Sequence, residues 1–431
     1  MNYNKIEIKL YLHDCYALGG AMKKEINIGI GFVTGRPNVC KIINNYYQAI
    51  LEQEEKEKRK INLTFFVLYD LGYQYTKRTD FYGIIPDVYR ENIEIKYITP
   101  EDIEEEKKIL ISRYELSKDD ANLFLGHGHA RGRNTVMYYA LKNKMDYLLF
   151  WDDDEYPVAC IKEDNHTITW KKQDNVIMHL KYIDKADVTI GYHCGYISPI
   201  PYIDSEEVSE EEFKNYIEAI SNDIISWDSI KKKFEEDNGV TYANPKLANG
   251  EGAYEIGLEN GKKWVAGSTL CLNLNHIDKI PAFYNPPEAR GEDTFFATML
   301  DEATVIKVPV YHFHDGFLKY TQIMKENYPK TLRKIKSSED EIEQRFLKAS
   351  KGWIKYKPLL MYILDKEDYD EKIKIVQEKL KKSIPEINKL FENSDFNVLL
   401  KELRNYDKNV EKHYEEYLKT NEIWNKIKSK K

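Results

Sequence analysis

The chain has 431 residues, of which 42% are hydrophobic and 32% charged, a composition that excludes extensive disorder and is ordinary for a globular protein. The formal net charge of -8 argues against nucleic acid as a partner, and no run approaches the roughly 20 apolar residues that span a bilayer. The length exceeds that of one typical domain and predicts a main domain with a smaller one appended.

Cysteine spacing and the N-terminal sequence indicate where the protein resides. The cysteines are odd in number and form no C-x-x-C pair, which is typical of reduced thiols buried as small hydrophobic side chains. Charged residues flank the short stretch 16–22, so the sequence lacks the apolar core of a signal peptide. We expect a cytoplasmic protein, whose Lys-rich end 424–431 is either a solubilising tail or a contact for the anionic inner face of the membrane. The cysteines are Cys15, Cys40, Cys160, Cys194 and Cys271.

After an N-terminal extension over residues 1–25, three apolar runs predict the first strands. Residues 26–33 and 61–69 are typical of buried strands, and residues 93–98 predict a third. Residues 39–60 carry apolar side chains at helical spacing, which predicts a helix that covers one face of the sheet. This alternation favours a parallel sheet, whose ligands gather at the carboxyl ends of the strands.

The central segment places consecutive acids at the end of an apolar strand. Residues 126–134 read GHGHARGRN and lead into a helical stretch, and the continuous apolar run 147–151 is typical of a central strand. Asp152, Asp153, Asp154 and Glu155 follow directly. Like charges packed together cost free energy unless a cation binds, and Mn²⁺ or Mg²⁺ prefers oxygen ligands, often one or two carboxylates plus a diphosphate. We expect Asp152 and Asp154 to hold such a cation; a solvated acidic loop or a set of helix caps is the alternative.

The second half of the chain predicts more strands and then helices. Residues 188–192 and 305–310 are typical of strands, and residues 264–274 are sheet-like around Gly267. Residues 206–236 predict a long, highly charged helical insertion. From about residue 317 onward the chain is rich in Lys, Glu, Leu and Ile with few glycines, which predicts an all-helical extension.

The acidic cluster resembles the signature of the GT-A glycosyltransferases, particularly the inverting enzymes related to family 2. Their D-x-D motif matches Asp152-Asp153-Asp154, and the resemblance covers roughly residues 26–316. It implies a Rossmann-like, mostly parallel α/β sheet that binds a nucleotide-sugar, with Asp152 near the ribose and metal, Asp153 in the donor site and Asp154 as the direct metal ligand. An insertion over 206–260 would then shape the acceptor site, unless its charged helix is a solvated face, and a helical region 317–431 would follow the catalytic domain.

Further family motifs match in the same order along the chain. The resemblance implies donor contacts from the loop after the first strand, from an acid after the second strand, and from an Arg-Asn element before the D-x-D strand. An arginine there can pair with phosphates or orient acids, although a helix-start loop with solvated arginines has the same sequence pattern. The matching residues are Thr34, Gly35, Arg36, Asp70, Arg131, Arg133 and Asn134.

Gly291-Glu292-Asp293 resembles the x-E-D motif of the family, and Gly267 with Ser268 resembles its acceptor loop. A carboxylate near an acceptor hydroxyl can remove its proton as the hydroxyl attacks the anomeric carbon. The resemblance therefore makes Asp293 the candidate catalytic base, with Glu292 helping to hold the acceptor. Both acids also suit the N-terminus of a helix beginning near residue 294, so capping is an alternative role.

A histidine after the last core strand completes the metal site in many of these enzymes. His312 and His314 both qualify, and in an extended segment their side chains point to the same side. Their spacing does not choose between them, but the Asp315-Gly316 context suggests a turn at the pocket edge and favours His314 as the ligand.

The sequence thus predicts a metal-dependent glycosyltransferase that uses Mn²⁺ or Mg²⁺. It would move a sugar from a UDP- or GDP-sugar to a hydroxyl of a glycan, lipid-linked or small-molecule acceptor, with inversion. One rival is a metal-dependent hydrolase or phosphotransferase, in which His127, His129 and the two later histidines join the aspartates around two metals ~3.5–4 Å apart. Another is a non-enzymatic sugar-binding protein whose 33 tyrosines supply stacking surfaces.

Overall fold

A computed structural model describes residues 25–37, 39–57, 61–72, 76–81, 93–164, 167–196, 199–204, 207–220, 226–339 and 341–430. The predicted extension up to residue 24, including Cys15, lies outside these residues. The strands are β1 (Ile26–Thr34), β2 (Ile61–Tyr69), β3 (Ile93–Ile98), β4 (Tyr147–Phe150), β5 (Glu155–Tyr156), β6 (Val158–Lys162), β7 (Ile168–Lys172), β8 (Val188–Tyr196), β9 (Val240–Thr241), β10 (Tyr254–Glu255), β11 (Leu270–Asn273) and β12 (Val305–His314).

Helices lie between the strands in the chain, and a further set of helices follows the last strand. The α-helices are α1 (Val39–Glu57), α2 (Pro100–Tyr114), α3 (Lys118–Phe124), α4 (His129–Lys142), α5 (Asn175–Ile183), α6 (Glu210–Ile220), α7 (Trp227–Asp237), α8 (Pro245–Ala248), α9 (Glu292–Ala297), α10 (Ile342–Leu364), α11 (Tyr369–Leu390), α12 (Val398–Lys408) and α13 (Val410–Ser429). Short 3-10 turns occupy Arg78–Asp80, Gly267–Thr269, Leu274–Lys279, Thr321–Lys325 and Ser394–Asn397.

The main sheet is mostly parallel, as the alternation of elements predicted. Its order is β10-β12-β8-β11-β4-β1-β2-β3, with parallel pairing within β4-β1-β2-β3 and between β8 and β12. β11 runs antiparallel to both of its neighbours. The chain moves outward from β1 to β2 and β3 and then returns to the other side of β1 for β4. Such a reversal opens a crevice at the carboxyl ends of the two central strands, where ligands of open α/β sheets bind.

Both faces of the central strands are buried, which explains why these runs of sequence are continuously hydrophobic. On β2, Phe65 and Val67 face one hydrophobic core, whereas Phe66 and Leu68 face a second core on the other side. A strand covered by helices on both faces must bury every side chain, so it shows no polar alternation.

Helix α4 packs against β1 without room for another carbon atom. A Cβ added at Gly31 would lie 2.6 Å from Val136 Cγ1, and one added at Gly132 would lie 2.5 Å from Val33 Cγ1. Contacts this short are not tolerated in a packed interior, so glycine is required at both positions. The helix that carries the Arg-Asn element is therefore fixed directly on the first strand.

The charged insertion and the C-terminal helices share a third hydrophobic core. α6, α10, α11, α12 and Phe295 of α9 all contribute buried side chains to it. The insertion contains two helices instead of the single long one predicted, and Ser226 caps the second by accepting the amide hydrogen of Ser229. The C-terminal α-helices begin at Ile342 instead of near residue 317. The helical region is thus packed against the insertion and does not form a core of its own.

The last helix returns to the sheet domain. Trp424 of α13 is fully buried, its indole nitrogen donates to the carbonyl of Ile280 at 2.9 Å, and its ring stacks on Phe124. Among the described residues, no helix is long and apolar enough to cross a membrane. Cys40, Cys160, Cys194 and Cys271 are buried free thiols, as the sequence predicts.

Candidate active site

The loop after β1 and the acidic turn after β4 are bound to each other. The carboxylate of Asp153 is buried and accepts hydrogen bonds from the Thr34 hydroxyl and from Arg36. The same guanidinium lies 2.9 Å from Asp154 Oδ2. Thr34 also fixes the loop, because its hydroxyl accepts the amide hydrogen of Arg36 at 3.0 Å. Sequence-distant donor-loop and D-x-D residues therefore meet, and Arg36 supplies the positive charge that the acids require.

Arg133 joins three of the motifs that the sequence singles out. Its Nη2 lies 3.2 Å from Asp152 Oδ1, its Nε lies 3.2 Å from Glu292 Oε1, and its Nη1 donates to the carbonyl of Gly267 at 2.7 Å. The guanidinium also lies 4.9 Å from the centroid of the Phe150 ring. A buried guanidinium with all its nitrogens bound to protein fixes the relative positions of those partners. Arg133 thus holds Asp152, Glu292 and Gly267 in fixed positions relative to one another.

Asp293 reaches the same point from the other side. Its Oδ2 accepts the amide hydrogen of Gly267 at 3.1 Å, and its Oδ1 accepts the amide hydrogen of Thr294 at 2.9 Å. The second bond lies at the start of α9, which begins at Glu292, so the predicted capping contact is present. Asp293 remains partly exposed, so the capping contact leaves the side chain accessible to solvent.

The carboxylates of the D-x-D turn differ in their proton affinity. The pKa of Asp152 is raised to about 7 by burial and by Glu155, Asp154 and Asp153, with Arg133 opposing. Since 42% of the Asp152 side chain is exposed, solvent screens part of this repulsion. Burial alone would also raise the pKa of Asp154, but Arg36 and His314 outweigh it and lower that pKa. Asp154 is therefore the carboxylate held in its charged form.

A buried network around Glu155 was not predicted from the sequence, which placed this residue only as the fourth acid of the cluster. Glu155 Oε1 accepts from the Ser268 hydroxyl at 2.6 Å and lies 3.0 Å from His193 Nε2, while its Oε2 lies 3.1 Å from His312 Nδ1. Burial opposes ionisation, yet His193 and His312 hold the pKa of Glu155 well below its usual range. Glu155 thus ties the acceptor-loop segment and two strands to the acidic turn.

The two candidate histidine ligands lie inside β12, because this strand continues through His314 instead of ending near residue 310. His312 is fully buried, and its Nδ1 is 3.0 Å from the Tyr46 hydroxyl as well as near Glu155. His314 is partly exposed, and its Nδ1 contacts the carbonyl of Tyr196. A carbonyl oxygen only accepts, so Nδ1 is the donor in this contact, and Nε2 is the ring nitrogen left for a metal ion.

Other predicted site residues are distributed along the crevice or below it. Asn134 is fully buried, and its amide group forms reciprocal hydrogen bonds of 2.9 and 2.8 Å with the backbone of Phe283. Its position suits a structural clamp instead of the donor contact implied by the resemblance. The carboxylate of Asp70 accepts the amide hydrogen of Gly72 at 2.9 Å. The side chain of Arg131 is exposed. Ser268 is buried through its bond to Glu155.

The first histidine pair points to two different environments. Burial lowers the pKa of His127, whose charged neighbours are led by Asp70, and burial likewise lowers the pKa of His129, whose charged neighbours are led by Glu292. The His129 side chain is exposed to solvent, so solvent screening reduces this effect on its pKa. These two histidines therefore have different acidic neighbours.

Comparison with known proteins gives no family for this chain. No family model matches it, and no curated protein matches it. The resemblance to GT-A enzymes stays a prediction from the sequence, and the support for a function comes from the arrangement of side chains in the crevice.

Proposed function

We propose that this protein is a metal-dependent glycosyltransferase with a GT-A-like catalytic domain. The observation that carries the proposal is Arg133, which links Asp152 of the D-x-D turn to Glu292 of the x-E-D motif. Glu292 lies 159 residues after Arg133 in the chain. Direct displacement needs a diphosphate site on one side of the reacting carbon and a base on the opposite side. An arrangement that holds an acidic cation site beside a second carboxylate motif supports this reaction.

The donor site is the crevice at the switch point between β1 and β4. Thr34 ends β1 and Arg36 follows it, Asp152 to Asp154 follow β4, and Asp70 follows β2 beside Thr34. A nucleotide bound there lies along the loop after β1, with its diphosphate toward the acidic turn. Arg36 then exchanges part of its pairing with Asp154 for the donor phosphates, because guanidinium groups bind phosphate bidentately.

Asp152, Asp154 and His314 fit a divalent cation in their chemistry. They offer two carboxylates and an imidazole Nε2, and the pKa of Asp154 is lowered, as a ligand in its charged form requires. Within the described residues, no group of three or more His, Cys, Asp and Glu side chains is arranged to hold a metal ion. A bound Mn²⁺ or Mg²⁺ would be held by these residues together with donor phosphates and would neutralise charge on the departing diphosphate.

The remaining steps belong to the protein side chains. Asp293 accepts the proton of the acceptor hydroxyl as its oxygen forms a bond to the anomeric carbon and the bond to the diphosphate breaks. Glu292, held by Arg133, sets the position of the acceptor beside Asp293. Attack from the face opposite the leaving group inverts the anomeric configuration. The product configuration therefore tests the mechanism separately from the fold.

A donor-binding screen tests the function directly. UDP-, GDP- and CMP-sugars are added to the full chain with and without Mn²⁺, and the melting temperature is followed, since a ligand that binds only the folded state raises it. One nucleotide class should stabilise the protein, and only with the metal.

The substitution Asp154→Ala should remove the metal-dependent shift, with donor affinity about 100-fold lower. Asp228→Ala, an exposed acid at the start of α7, serves as the matched control and should respond as the wild type does. The proposal fails if no sugar nucleotide binds, or if Asp154→Ala keeps its metal-dependent response.

A further inference from the structure

A small cavity lies beside Trp151, the residue that precedes the acidic turn, and has no role in the proposed displacement. Side chains of α1 and α5 line it together with Trp151. The cavity volume is about 10 Å³, close to the minimum that one water molecule needs. The cavity therefore has room for a single water but not for a sugar, a nucleotide or another organic ligand.

Two of the side chains that line the cavity each have a buried polar atom without a hydrogen-bond partner among the described residues. The atoms are the indole nitrogen Nε1 of Trp151 and the amide oxygen Oδ1 of Asn175. Trp151 is 1% exposed and Asn175 is 4% exposed, so bulk solvent does not solvate either group. An unpaired buried donor or acceptor lowers the stability of a fold, so such atoms are nearly always bound to protein or to ordered water.

The packing of Trp151 keeps its side chain from turning toward another acceptor. Its ring stacks on that of Tyr46 with centroids 3.7 Å apart, and it meets the ring of Phe32 edge-on at 6.2 Å. Its backbone amide donates to the carbonyl of Gly31 at 3.1 Å. Because an indole N–H is only a donor, this fixed group requires an acceptor that comes to it.

The orientation of the Asn175 amide is fixed by its other end. Its Nδ2 donates to the carbonyl of Tyr311 at 3.2 Å, so Oδ1 is directed away from that carbonyl. Gln173, which also lines the cavity, accepts the backbone amide hydrogen of Tyr311 at 3.1 Å, and its own amide nitrogen donates to backbone carbonyls. Gln173 is therefore engaged elsewhere, and Asn175 Oδ1 requires a donor that comes to it.

We propose that the cavity binds one ordered water molecule, which accepts the hydrogen of Trp151 Nε1 and donates a hydrogen to Asn175 Oδ1. Both side chains line one cavity that fits a single water, and water alone among small ligands donates and accepts at once. A cation would face the indole N–H, and an apolar ligand would leave both polar atoms unpaired. The water joins α5 to the residue before Asp152 and so helps to hold the acidic turn. This site does not depend on the proposed glycosyl transfer.

A crystal structure of the full chain, at a resolution that shows ordered waters in the protein interior, tests the site directly. One water should lie about 2.7–3.2 Å from both Trp151 Nε1 and Asn175 Oδ1. A cavity without a water overturns the proposal, as does a water within hydrogen-bond distance of only one of the two atoms.

NMR of the full chain tests the site in solution. The chain has six tryptophans, so the indole N–H signals are few, and Trp151→Phe identifies the Trp151 signal by its loss. That signal should show a nuclear Overhauser effect to a long-lived water. The indole of Trp424 is equally buried but donates to the carbonyl of Ile280 at 2.9 Å, so it is the internal control and should show none. No water contact at Trp151 contradicts the proposal.

A pair of variants assigns the acceptor of the bridge. Asn175→Leu keeps the branching of the side chain and removes Oδ1, so the water signal at the Trp151 indole should fall at least about tenfold. Gln173→Leu is the matched control, because it also removes a side-chain bond to the backbone of Tyr311 but leaves Asn175 Oδ1 in place. Melting temperatures confirm that both variants fold. An unchanged water signal in Asn175→Leu, or an equal loss in both variants, removes Asn175 from the site.

Discussion

The two ends of β12 surround their ionisable side chains with different partners. At the carboxyl end, His312 lies against Glu155 and Tyr46, and His314 lies against Tyr196 and near Asp154. Near the other end, Lys307 is 4% exposed, and its ammonium lies 4.1 Å from the Trp264 ring centroid and 4.4 Å from that of Tyr192. Burial lowers the pKa of Lys307 to about 7.

The histidines at the carboxyl end have polar partners that hold them in place, whereas the charge on Lys307 only lowers the stability of the fold. Buried groups in a network with complementary partners keep defined protonation states and fixed positions, which catalysis requires. A buried lysine among aromatic rings recovers part of its lost hydration through the ring faces but receives no compensating charge from them. Substitutions at the carboxyl end should therefore damage function, whereas a substitution at Lys307 should affect stability alone.

The largest effect is expected at Asp293. The substitution Asp293→Asn keeps the shape of the side chain and removes its basicity, so kcat should fall by roughly 10²–10⁴-fold while donor binding is retained. Steady-state kinetics and the donor-induced melting shift, measured on the same preparation, separate the two properties. Asp301→Asn, an exposed acid beyond α9, is the matched control. A variant at position 293 with wild-type kcat would remove Asp293 as the base.

An intermediate effect is expected at Glu155. In Glu155→Gln the carboxylate that receives Ser268, His193 and His312 loses its charge, so the folded state should lose about 1–3 kcal/mol. Denaturant unfolding measures this loss. Because the Gly267–Ser268 segment loses an anchor, kcat should also fall about tenfold below that of wild type. Unchanged stability together with unchanged activity would show that the network is incidental.

The smallest effect, with the opposite sign, is expected at Lys307. Its folded-state pKa lies near 7 against 10.5 in the unfolded chain, so the unfolded state binds more protons between these values and wild-type stability rises with pH across that window. Lys307→Met removes the cost of a buried charge and keeps most of the packing. We expect about 1–2 kcal/mol of stabilisation at pH 7, because the two ring contacts already return part of the cost.

That gain should shrink toward pH 10.5, where wild-type Lys307 is neutral in both states. Unfolding curves of wild type and variant at several pH values isolate the contribution of Lys307 to the free energy of unfolding. The contributions of other titrating groups cancel when the two free energies are subtracted. Activity with a given donor should follow the wild type. A variant that is less stable at pH 7, or whose advantage grows with pH, would contradict the assignment.

Much of the central sheet could be predicted because buried parallel strands have a strong local signal. The apolar runs at 26–33, 61–69 and 93–98 became β1 to β3 within a residue. The two helices of the insertion are harder to predict, since its charged residues favour helix throughout. The Ser226 and Ser229 pair marks the start of the second helix. The helical region was predicted too early, because composition alone does not distinguish the irregular residues after β12 from the helices that follow.

The candidate site was predictable only where it consists of short contiguous motifs. The D-x-D turn and the x-E-D motif carry their chemistry in adjacent residues, but the partners of Glu155 come from β8, β12 and the segment before β11. Pairing of distant strands brings them together, and no spacing in the sequence encodes it.

The close packing of α4 on β1 has a consequence for how the crevice opens. With Gly31 and Gly132 in contact distance of the opposing valines, the helix cannot slide along the strand, so Arg36 and Arg133 travel as parts of one rigid body. Arg133 in turn binds the carbonyl of Gly267 and the carboxylate of Glu292, so these residues are tied to the same body. The crevice therefore cannot open by a movement of α4 along β1.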